Sequence, residues 1–123
     1  MSIERRSGGP RVALEANAVI KIDLAGPTVN SRIVNASQKG LLVIMPEARP
    51  VGTRIRVTIQ IERPPSQIVV AGIIVHSTPF ESVDVRFSAR VGILLTEVGQ
   101  DWLDFCARLE QMAAGSGGNK KGR

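Results

Sequence analysis

Two short polar constellations interrupt a sequence that is otherwise rich in apolar strand formers. In VNASQKGLLV, residues 34–43, Asn35, Ser37 and Gly40 stand at the spacing Asn-x-Ser-x-x-Gly. An amide offers donors and an acceptor in one fixed plane, and a hydroxyl offers both kinds of partner. A glycine allows close approach to the backbone or a positive φ. Two uses fit this set. One is a hairpin turn, in which Asn35 and Ser37 satisfy local backbone groups. The other is a strand end at a rim, where the same groups meet a ligand. The second constellation is ERRSGGPR at 4–11, with Arg5, Arg6 and Arg11 around Gly8-Gly9. A guanidinium grips phosphate through two parallel bonds, pairs with the O6/N7 edge of guanine and stacks on purine faces. Those residues read either as a loose basic leader or as forks for an anionic, purine-bearing ligand.

Catalytic patterns are not found. No GxSxG, HExxH, CxxC or Walker-type loop occurs. His76 ends an apolar run, GIIVHST, where a satisfied structural histidine is expected. Asp101 and Asp104 stand at a helix start, where the dipole accounts for negative charge, and Glu47 and Glu62 flank turns. One cysteine and one histidine cannot assemble a Cys/His metal cluster. The expectation is a binding module that is not an enzyme and carries no metal or cofactor.

The 123 residues suit one domain, and 43% apolar with 22% charged residues is ordinary for a globular protein. The longest apolar run, Ile68 to Val75, is too short to span a bilayer, so no membrane insertion is expected. The N-terminus has basic residues without an apolar segment behind them, unlike a secretory signal. With the single cysteine, Cys106, this reads as a reducing, cytoplasmic setting. The net charge of +5 invites a nucleic-acid reading. Lys120, Lys121 and Arg123 in the tail supply three of those charges, leaving +2 elsewhere. Three Phe, one Trp and no Tyr leave few rings for stacking bases, so a nucleic-acid barrel is the weaker reading.

These constellations need elements to position them. Ala18 to Leu24 alternates apolar and polar residues, the period of a half-buried strand. Strands are predicted over 28–36 and 40–45. TRIRVTIQIE, 53–62, alternates cleanly, with Ile55, Val57, Ile59 and Ile61 on one side. Pro64-Pro65 is expected to end it. Further strands are predicted over 67–77, 82–87 and 91–98. The period then changes. Trp102, Phe105, Cys106, Leu109 and Met112 fall at helical spacing, with Asp101 near the start. Cys106 on that face reads as a small buried hydrophobe. The fold class is mainly all-β, an antiparallel barrel of six to seven strands with one C-terminal α-helix packed across an opening. The expected organisation is a flexible Arg-rich leader at 1–11, the barrel and helix at 12–114, and a disordered basic tail at 115–123.

Taken in order, an Arg-rich leader, a strand, Asn-x-Ser-x-x-Gly between two strands, a barrel and a terminal helix resemble the PilZ domain family. The matching text is ERRSGGPR, SRIVNASQKGLLV at 31–43 and PVGTRIRVTIQI at 50–61. The resemblance runs from about Arg5 to Met112 and implies a bacterial receptor for cyclic di-GMP. It implies that Arg5, Arg6 and Arg11 grip phosphates and guanines, that Asn35 and Ser37 meet a guanine edge, and that Gly40 permits close contact. The family's two arginines are separated by three residues. Here four separate Arg6 from Arg11, an extra residue that a bulge at Gly8-Gly9 would absorb. The function expected is a relay in which ligand binding orders the leader and offers a surface to a downstream protein, the chain being a monomer or a homodimer. The alternative is a PilZ-like adaptor that acts by protein contact without the nucleotide.

Overall fold

The computed structural model describes residues 12–23, 25–62, 65–79 and 88–121, with side chains through Met112. Arg5, Arg6 and Arg11 lie outside the described residues, as do Leu24 and the seventh strand expected at 82–87.

The strands are β1 (Val12–Ile22), β2 (Thr28–Ser37), β3 (Gly40–Met45), β4 (Arg54–Glu62), β5 (Pro65–Pro79) and β6 (Ala89–Glu97), followed by helix α1 (Gln100–Lys121). They close into a barrel in the order β1-β2-β3-β6-β5-β4, antiparallel at every seam. Two three-stranded meanders, β1-β2-β3 and β4-β5-β6, are thus joined along two seams. Closure leaves no free edge to recruit a foreign strand.

Alternation decides what fills the interior. In β4, Ile55, Val57 and Ile59 are buried while Arg54 and Arg56 are exposed. Ile20, Ile33, Leu41, Val43, Met45, Val70, Ile74 and Val91 complete the centre of the core. β1 begins earlier than expected, at Val12 and not Ala18, because the small Ala13 and Ala16 mute the apolar alternation there. Pro65 opens β5 opposite Glu62. The first residue of a strand is where a missing N–H is tolerated.

Helix α1 lies over the end of the barrel where β1 and β5 begin. Trp102 is fully buried, Phe105 and Cys106 nearly so, and the Trp102 and Phe105 ring centroids stand 5.9 Å apart. The N–H of Trp102 donates to Gly99 O and to Asp101 Oδ1, so the first turn satisfies its own donors. The segment read from composition as a disordered tail is helical as far as Lys121. The docked turns around Trp102 and Leu109 nucleate that helix, and each further residue adds one hydrogen bond.

Candidate ligand-binding site

Asn35, Ser37 and Gly40 come together at the β2–β3 hairpin, while Arg5, Arg6 and Arg11 lie outside the described residues. Ser37 pairs with Gly40 across the two-residue turn Gln38-Lys39, and Asn35 pairs with Leu42 on β3 and Ala13 on β1. The turn is held from behind. Leu95 N–H donates to Lys39 O at 2.8 Å, and the Trp102 indole N–H donates to Gln38 O at 3.1 Å. Both carbonyls of the turn, those of Gln38 and Lys39, are therefore tied to α1 and β6.

A bulge sets which way the amide-bearing residue faces. Ile33 pairs with Val43 and Asn35 with Leu42, so Val34 is an extra residue on β2. Ser31 and Ile33 are buried. Strict alternation would send Asn35 into the core after them. The bulge shifts the parity by one, Ala36 becomes the core residue, and Asn35 stays half-buried on the outer side. A second register shift, between Ala13 and Ala16, lets β1 follow the bend.

Gly40 is buried, and among the described residues only Asp23 and Gly52 have positive φ. The turn thus does not require a glycine at 40 for its backbone conformation, which removes one support of the hairpin-only explanation. Ser37 retains 5% of its surface, so it lies beneath the surface that Asn35 helps to form. Val12, the residue that follows Arg11, pairs with Ala36, between Asn35 and Ser37. The leader therefore joins the barrel at the hairpin. The link from Gln38 to Trp102 was not visible in the sequence. A lone tryptophan in a helix's first turn was its only trace.

Among the described residues no group of three His, Cys, Asp or Glu side chains could hold a metal ion, and no helix is long and apolar enough to cross a membrane. His76 is exposed, on β5 opposite Gly92. Burial, and next the Glu110 carboxylate, push the Cys106 thiol from 9.0 to about 11. A thiol held protonated is a poor nucleophile, in keeping with its reading as a packed hydrophobe.

Among solved structures the chain is similar to the motility inhibitor MotI/DgrA of Bacillus subtilis, with a TM-score of 0.63 at 16% identity over 84% of this chain and 50% of that one. It thus spans about half the length of that protein. It is also similar to the PilZ domain of YcgR from Escherichia coli, solved with c-di-GMP, with a TM-score of 0.65 at 14% identity over 88% of this chain and 94% of the other. At these identities the likeness is one of fold. No curated protein matches the chain. The PilZ domain family model matches residues 4–98, a span that takes in the arginine leader, the β2–β3 hairpin and all six strands up to the helix, and the chain belongs to the PilZ domain family.

Proposed function

We propose that the protein is a receptor for cyclic di-GMP, with Arg5, Arg6 and Arg11 as one side of the site and Asn35, Ser37 and Gly40 as the other. The observation that carries this reading is the pairing of Val12 with Ala36, which joins the leader to the barrel within a residue of the polar motif. Family membership and the ligand held by the YcgR PilZ domain support the choice of nucleotide.

The chemistry follows from the groups. Two phosphates call for guanidinium forks, and a guanine edge calls for a fixed amide beside it. Fixing the long arginine side chains on a ligand costs conformational entropy, which several charge-assisted bonds must exceed. The relay runs through the turn. A ligand pressing on Asn35–Gly40 acts on Gln38 and Lys39, whose carbonyls hold α1 and β6. The helix or the ligand-bound leader then presents a changed surface to a partner protein. Titration calorimetry with cyclic di-GMP, with GTP as control, tests the reading. Binding of the dinucleotide alone is expected, and no heat with a folded barrel would overturn it.

The arginine spacing favours one second reading. With four residues between Arg6 and Arg11 the forks stand one residue out of the family register, as suits an adaptor that works by protein contact alone. The same titration separates the two.

A further inference from the structure

On the side of the barrel built by β4 and β5 lies a half-open groove of about 500 Å³. In the closed strand order these two strands are separated from β2 and β3 by β1 on one flank and β6 on the other. The groove is thus distinct from the hairpin site. Its floor follows from one row of the ladder, in which Lys21 pairs with Arg56, Arg56 with Ala71 and Ala71 with Glu97. Long side chains flank a single methyl, and Ala71 makes the depression. Arg54 lies two residues before Arg56 and shares its outward parity.

Among the described residues no ion pair neutralises the cations of this groove. Lys21 donates to Gly26 O at 3.3 Å. Among the described residues the ion pairs are Arg32–Glu15 and Arg49–Glu47, and neither involves Lys21, Arg54 or Arg56. Asp23 and Glu97 also line the groove, and among the described residues neither pairs with its cations. The chain's own terminal segments have the wrong sign to fill it. Residues 1–11 carry three arginines against Glu4, and 115–123 carry no acid.

We propose that this groove takes an extended acidic segment of a partner protein, with carboxylates at alternate positions. Arg54 and Arg56 are two residues apart on a strand, about 7 Å at the usual rise, which is also the spacing of alternate side chains in an extended peptide. Two guanidinium forks then meet two carboxylates in register. The barrel is closed, so recognition falls to side chains and not to strand addition. Thr96 and Glu97 form the β6 wall, and Val98-Gly99 alone separate Glu97 from the start of α1 at Gln100. The groove therefore borders the helix that grips the hairpin turn.

The test is a titration of the ¹⁵N-labelled full chain, followed by amide shifts. The probes are the peptide Gly-Ser-Glu-Ser-Glu-Ser-Gly, its isomer Gly-Glu-Ser-Ser-Ser-Glu-Gly, and inorganic triphosphate. The alternating peptide is expected to move the amides of Lys21, Arg54–Arg56, Ala71–Ile73 and Thr96–Glu97, and to bind at least fivefold more tightly than its isomer. R54S/R56S is expected to abolish binding. Ala71→Leu, which fills the depression and keeps every charge, is expected to weaken it at least fivefold, so the conclusion does not depend on one variant folding. Equal affinity for the two peptides, shifts confined to other strands, unaltered binding by both variants, or tighter binding of triphosphate than of peptide would each overturn it. Cyclic di-GMP is titrated into the same samples. Failure of that titration bears on the receptor reading alone, because none of the groove residues belongs to the hairpin site.

Discussion

Val12 on β1 pairs with Ala36 on β2, so the polypeptide enters the barrel between Asn35 and Ser37. Arginines up to seven residues before that point have their tether beside the polar motif. Arg11, immediately before Val12, has the shortest tether. Arg11→Ala is expected to lower cyclic di-GMP affinity by roughly 10- to 100-fold, the worth of one charge-assisted bond of about 1.5–3 kcal/mol. The melting temperature should not change. Calorimetry on the wild type and the variant checks both statements, and equal affinities would remove the leader from the site.

Asn35 is the sharper test of the hairpin, because it is half-buried on the outer side of the bulge and not among the core residues. Asn35→Ala should weaken cyclic di-GMP binding by about tenfold or more through loss of a base-edge contact, while moving the denaturation midpoint little. If the variant instead unfolds easily with unchanged affinity, Asn35 is a turn residue and nothing more.

Trp102 joins the helix to that hairpin. Trp102→Phe keeps an aromatic ring in the core but removes the N–H that meets Gln38 O at 3.1 Å. Loss of this part-buried hydrogen bond costs about 0.5–1.5 kcal/mol, so urea midpoints should fall accordingly. Under the relay reading the helix also senses the ligand. The wild type is then expected to show amide shifts in Trp102–Leu109 on saturation with cyclic di-GMP, and Trp102→Phe to show much smaller ones.

Much of the barrel was legible in the residues. β2, β3 and β4 fall within a residue of their predicted bounds; in β4 the alternation of Ile55, Val57 and Ile59 with polar neighbours reports one buried face, and in β3 the unbroken apolar run GLLVIM marks a strand packed on the core. The helix face at Trp102, Phe105 and Cys106 was equally plain. Closure was not, since the seams β1–β4 and β3–β6 join segments distant in sequence and leave no local trace. The placement of Asn35 was hidden for another reason. Its outward parity depends on Val34 bulging, and a valine carries no sign of that. The Trp102–Gln38 bond spans 64 residues, beyond any periodicity. The groove escaped because Lys21, Arg56, Ala71 and Glu97 become neighbours only through register.

The extension of α1 to Lys121 runs through Gly115-Ser116-Gly117-Gly118. Each glycine in a helix interior is worth about 1 kcal/mol less than alanine, and the run offers no apolar side chain to bury. A chain ending at Ala114 is therefore expected to keep its stability within about 1 kcal/mol of the full chain. Circular dichroism should lose the corresponding helical signal without a lower melting temperature. A large drop would mean that the last turns dock on the barrel.

Cys106 gives the fold a pH dependence with a definite sign. Its thiol is held at about 11 in the folded chain against an ordinary 9.0, chiefly by burial and next by Glu110. Between those values the unfolded chain has released the proton and the folded chain still binds it, so stability falls as pH rises. It is fully present below pH 9 and lost progressively up to pH 11. The slope expected from one such group is roughly 1 kcal/mol per pH unit. Cys106→Ala removes the group, and its packing loss shifts stability equally at every pH. Urea midpoints at pH 7, 9, 10 and 11 should then converge for wild type and variant as the pH rises. Parallel curves would mean that the folded thiol ionises freely, and so that the interface beneath α1 is open to water.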